Sequence, residues 1–186
     1  MPKEAYLDKL ISDEQHGFDV VETEEDKKEN LRKRYAKLLN HLDSVTSNCR
    51  IIAERLLNEG HYDLAHKLVI AGQTHDISKF YNDEWEYLCE YDKYMNDPRK
   101  MVAIRNHVEN NFHHPEAWEY KGGIHAMDDV SLAELTADWY ARGEEFGRGV
   151  GQFLEEVAFK RYGFDKNSEA YRKINYFFKL LTDRDL

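Results

Sequence analysis

Proline and cysteine are both scarce in this chain, with three prolines and two cysteines among 186 residues. The prolines stand at positions 2, 98 and 115, so nothing prevents long helices from forming between them. Cys49 and Cys89 are isolated, with no CxxC spacing. This excludes a disulfide framework and a cysteine-based structural zinc knot, and points to a reducing compartment. No stretch approaches the roughly 20 apolar residues that a membrane span requires. The opening Met1-Pro2-Lys3-Glu4-Ala5-Tyr6 is too charged for a secretory signal, so a cytoplasmic protein with no membrane partner is expected. Positive charge is also short, 26 Lys and Arg against 36 Asp and Glu, for a formal net charge of -10. That balance opposes the counterion release that drives binding to duplex nucleic acid, and a small molecule is the expected partner. If that molecule is a phosphoester, metal ions or a local cluster of Lys and Arg must offset the repulsion. Gly143, Gly147, Gly149 and Gly151 fit neither GxGxxG nor GxxxxGK, so no dinucleotide fold or P-loop follows; they read as a flexible junction between helices.

What the chain does have is helical periodicity. Residues 1–22 read as an arm and 23–186 as one helical domain, a length that forms a single core. Thr23 followed by Glu24, Glu25 and Asp26 marks a helix start, because a hydroxyl caps free N–H groups and acids favour the positive end of the dipole. Leu31, Tyr35, Leu38, Leu39, Leu42, Val45, Cys49, Ile52 and Leu56 recur three or four apart and form one core-facing stripe ending near Gly60. A second helix is expected from Tyr62 to Ala71, broken by Gly72. A third starts at Asn82, carries Trp85, Leu88, Cys89 and Tyr91 on one face, and stops at Asp97-Pro98. Others are expected from Arg99 to Asn111, from a cap at Asp129 or Ser131 to Arg142, from Val150 to Tyr162, and from Ser168 to Leu181. Residues 113–123 read as the longest loop. The expected class is all-α, a bundle of about seven helices.

Of nine histidines, His41, His75, His107, His113 and His114 fall where segments end or border apolar faces. Neutral imidazole suits borderline divalent metals and carboxylate suits harder ones, so a mixed set leaves Mn, Co, Ni, Zn, Fe and Mg open. His75 and Asp76 are adjacent. On a regular helix their side chains would diverge by about 100°, so sharing one ion requires a helix end, which the glycine at 72 would supply. Each residue also has an ordinary reading: His41 as a hydrogen-bonded core-edge histidine, His75 as a turn residue, Asp138 as the partner of Arg142 one turn on.

The order His41, His75-Asp76, Asp138 on successive helices, with AHKLVIAGQTHDISKF leading into an HDxSKF motif and HHPE at 113–116, resembles the HD-domain metal-dependent phosphohydrolase superfamily. The match runs roughly from residue 30 to 150. The resemblance implies an HD-like helical bundle in which His41, His75, Asp76 and Asp138 hold one divalent ion, and His107 with His113 or His114 hold a second. Lys79 stands where one nucleotidase subgroup carries a glutamate, so the chain is closer to the HD[IL]xK versions. The implied reaction is hydrolysis of a nucleotide or other small phosphoester by metal-activated water, with Asp76 orienting the nucleophile, Lys79 steadying phosphoryl charge and Glu116 moving a proton. Arg105 and Arg142 are candidate phosphate contacts, and Trp118 and Tyr120 candidate base-stacking groups. Two alternatives stay open, an HD-type di-iron oxygenase and a binding module that keeps its metal as a staple. A symmetric homo-oligomer is equally open.

Overall fold

A computed structural model describes residues 23–89 and 97–186. The arm assigned to residues 1–22 and the continuation of the third helix through Tyr91 lie outside the described residues. Among those that are described, the chain is all-helical and has no strand. Seven helices carry it: α1 Glu24–Asn58, α2 Tyr62–Thr74, α3 Asn82–Cys89, α4 Pro98–Asn110, α5 Asp129–Phe146, α6 over 150–162, and α7 Glu169–Thr182. No described helix is long and apolar enough to cross a membrane.

The described residues divide into two compact units, a smaller one within 23–37 and 78–107 and a larger one of 38–77 and 108–186. In the smaller unit α1 begins with reciprocal capping. The Asp26 amide donates to Thr23 Oγ1 at 3.2 Å, while the Thr23 amide donates to Asp26 Oδ2 at 3.1 Å, which satisfies N–H groups that the first turn leaves open. Tyr35 meets Phe80 and Trp85 edge-on. Leu31 and Tyr35 nevertheless remain exposed, as does Leu39 at the start of the larger unit, so the expected apolar stripe of α1 is buried only in its C-terminal half.

That half anchors the larger unit. Val45, Cys49, Ile52 and Leu56 are fully buried with Leu68, Leu132, Leu135, Ile174 and Phe177. Two polar contacts set how α1 meets its neighbours: Thr46 Oγ1 donates to the Gly72 carbonyl at 2.7 Å, and Asn48 Nδ2 donates to the Ala137 carbonyl at 3.1 Å. Gly72 therefore does not break α2. It lies buried in the last turn, where absence of a side chain lets α2 press against Cys49, and the helix ends instead at His75.

The other boundaries differ from expectation by definable contacts. The cap of α5 is Asp128, whose carboxylate accepts from the Ser131 amide. The helix runs past Arg142 to Phe146 and closes at Gly147, which has φ 63, a left-handed C-terminal residue that glycine adopts without strain. Residues 113–123 are not an irregular loop, since 3-10 turns at Pro115–Lys121 and Gly123–Ala126 fold most of them. Helix α6 contains a π-helical stretch, Leu154–Ala158, and Ser168 caps α7 by accepting from the Tyr171 amide.

Candidate metal centre

Four segments of the larger unit bring the chemistry together. His41 comes from the buried face of α1. His75 and Asp76 follow the end of α2, where Asp76 takes φ 52. This left-handed conformation is one that aspartate tolerates better than most residues, and it turns the two adjacent side chains toward one point. Asp138 comes from the middle of α5, and His113 enters on the segment before Pro115. His41, His75, Asp76 and His113 are each at most 3% exposed.

The atoms converge. His41 Nε2 lies 3.1 Å from Asp138 Oδ1, and His75 Nε2 lies 3.9 Å from it. His75 Nε2 is 3.6 Å from Asp76 Oδ2, and His113 Nε2 is 3.5 Å from Asp76 Oδ1. Yet His41 Nε2, His75 Nε2, His113 Nε2 and Asp138 Oδ1 are buried and make no hydrogen bond among the described residues. Leaving a buried polar group unsatisfied costs about 1–3 kcal/mol, so such a cluster favours a group that fills the space between its atoms. A divalent cation fits. Ligand atoms about 2.0–2.2 Å from one ion stand roughly 3–3.5 Å apart, close to the separations observed, and imidazole nitrogen with carboxylate oxygen suits Mn, Fe, Co, Ni or Zn.

His41, His75 and Asp138 form one group able to share a cation, and Asp76, His113 and His114 form another. A third group, His75, His113 and Glu134, shares His75 with the first and His113 with the second and so links them.

Behind these atoms stand glutamates that sequence reasoning missed. His41 Nδ1 is 2.7 Å from Glu145 Oε1. His75 Nδ1 is 2.9 Å, and His113 Nδ1 3.2 Å, from Glu134 Oε1. Burial works to raise the Glu134 carboxyl, but the imidazoles of His113 and His75 outweigh it and bring the group down to about 2. For Asp138, burial is likewise opposed and exceeded by the imidazoles of His41, His75 and His113, leaving it well below the carboxylate range. Cys49 goes the other way: burial pushes its thiol up, and the charges of Glu134 and Asp138 add to this. It is therefore a small apolar filler rather than a ligand. A signal for Glu134 did exist in the chain, a second carboxylate one turn before Asp138 inside the largely apolar run LAELTADW.

Other predicted site residues are not members of these groups. Arg142 bonds Glu145 at 2.9 Å and approaches Asp138 only to 3.9 Å. Glu116 accepts from Arg161 at 3.0 Å. Trp118 donates Nε1–H to the Phe112 carbonyl, and the Lys121 ammonium sits over the rings of Trp118 and Tyr120. His113, Glu134, Phe112, Trp118 and Lys121 line an open cleft of 770 Å³ in the larger unit. His107, Lys79 and Arg105 belong to the smaller unit. There His107 is buried with Nδ1 3.1 Å from Glu84 Oε2, and the same oxygen accepts from Ser78 Oγ at 2.6 Å.

Fold and site together define an all-helical protein with a buried histidine–carboxylate cluster. The chain belongs to the DUF5662 family, a family of unknown function whose model matches residues 30–179. That span takes in every residue of the cluster. No curated protein and no solved structure matches the chain.

Proposed function

We propose that this protein is a divalent-metal-dependent phosphohydrolase of the HD type, acting on a nucleotide or another small phosphoester. The observation that carries the reading is the set of buried atoms His41 Nε2, His75 Nε2, His113 Nε2 and Asp138 Oδ1, which make no hydrogen bond among the described residues and belong to overlapping groups able to share a cation. His41, His75, Asp76 and Asp138 would hold one ion, and His113 and His114 with Asp76 would provide for a second. A divalent ion bound there supplies Lewis acidity and neutralises phosphoryl charge.

The chain's own residues provide the rest. Asp76, held in a left-handed turn, orients the attacking water. Burial of the imidazoles keeps bulk water away, and the cleft beside His113 is of a size that takes a small ligand. With only two cysteines in the sequence and no CxxC spacing, the cytoplasm is the proposed compartment.

Elemental analysis of the purified protein, followed by phosphate release from a panel of nucleotides and simple phosphoesters with Mn, Co, Ni, Mg or Zn, tests the proposal. One or two ions per chain with release supports it. Iron without release favours a di-iron oxygenase, and an ion whose removal unfolds a chain inactive on every substrate favours a structural staple. Replacing His75 and Asp76 by alanine should remove at least one metal equivalent with circular dichroism unchanged; full retention of metal would sink the site.

A further inference from the structure

A single carboxylate oxygen, Glu134 Oε1, faces the Nδ1 atoms of two different imidazoles, His75 at 2.9 Å and His113 at 3.2 Å. The two rings lie 4.3 Å apart between centroids, at 39°, so they are neighbours pinned from one side. Their opposite nitrogens, both Nε2, are the buried atoms that make no hydrogen bond among the described residues. A neutral imidazole carries one N–H and one lone pair, and which nitrogen holds the proton is set by the partner the other finds. A carboxylate accepts only. It therefore fixes the proton on Nδ1 in both rings and leaves both Nε2 lone pairs directed into the cluster.

We infer that Glu134 is a positioning residue that sets His75 and His113 in the Nδ1–H tautomer needed to present Nε2 to a cation, without itself binding that cation. The inference deepens the metal-site reading and rests on it for its functional meaning. Its geometry comes from one helix. Glu134 stands one turn before Asp138 on α5, so the helix that supplies a ligand carboxylate also supplies the anchor for two ligand imidazoles. Glu145, farther along α5, does the same for His41 alone, at 2.7 Å. Partners of this kind typically change metal affinity by about 10- to 100-fold when removed. Because Glu134 governs two rings and Glu145 one, loss of Glu134 has the larger effect.

The test is long-range 1H–15N NMR of the histidine rings in the metal-free chain, together with Zn2+ titration of wild type, Glu134→Gln and Glu145→Gln. Wild type should show Nδ1–H at both His75 and His113. Glu134→Gln keeps the size of the side chain and should convert at least one of these rings to Nε2–H, weakening Zn2+ binding about 10- to 100-fold, with a smaller loss in Glu145→Gln. An Nε2–H tautomer at either ring of wild type overturns the assignment without need of any variant, and so does a Glu134→Gln protein with unchanged tautomers and wild-type Zn2+ affinity. A wild-type chain that shows both Nδ1–H tautomers but takes up no Zn2+ supports the positioning of the rings and removes the metal reading instead.

Discussion

Gly72 and Cys49 pack so closely that a Cβ added at Gly72 would stand 2.6 Å from Cys49 Cβ and 3.0 Å from its sulfur. No real side chains approach so nearly, and the Thr46 hydroxyl bonded to the Gly72 carbonyl at 2.7 Å fixes the helices at that separation. His75 and Asp76 follow within one turn, so the spacing of α1 and α2 also sets where the motif is delivered.

Gly72→Ala should accordingly destabilise the protein. Overpacking a buried contact costs about 1–3 kcal/mol, and here the usual gain from alanine's helix propensity is smaller. A lowered thermal midpoint together with reduced metal occupancy is expected. Unchanged stability would mean that the two helices separate freely.

At Asp76 the backbone and the side chain make separable demands. Asp76→Asn preserves tolerance of a φ of 52, because asparagine visits the left-handed region readily, so its thermal midpoint should move little while metal content falls. Asp76→Val should lower both, since a β-branched residue at positive φ is strained by about 1–3 kcal/mol. Equal melting of the two variants would show that backbone strain is not decisive here.

Asp128 caps α5 by accepting from the Ser131 amide at 2.8 Å. Asp128→Ala should cost about 1 kcal/mol, visible in urea unfolding as a lower midpoint with unchanged slope. Metal occupancy should persist, because the carboxylate proposed as a ligand lies several turns away at position 138. Loss of metal with intact stability would contradict this.

Much of the helical layout was legible because it follows from local chemistry. Thr23 and Ser168 are capping residues in the sequence and cap helices in the structure, and the apolar spacing from Val45 to Leu56 matches a buried face. The errors are equally local in origin. Gly72 looked like a helix breaker because glycine often ends helices; here the need for close approach to Cys49 outweighs its backbone freedom. The glycines at 143 and 147 looked like a flexible junction, but a Cβ on Gly143 would come within 2.5 Å of the Arg148 carbonyl. It is tightness rather than freedom that calls for glycine at 143.

By itself the amino-acid sequence determined the all-helical class and the set of histidines and aspartates worth watching, because periodicity, capping and side-chain chemistry act over a few residues. Only the tertiary structure decided that Glu134 and Glu145 stand behind the imidazoles, that His41, His75 and Asp138 gather in one buried group overlapping that of His113, and that Arg142 leans on Glu145 rather than on Asp138. Those outcomes depend on how α5 is rotated against α1 and α2. That rotation is set by buried contacts between residues far apart in the chain, such as Asn48 with the Ala137 carbonyl, which no local pattern records.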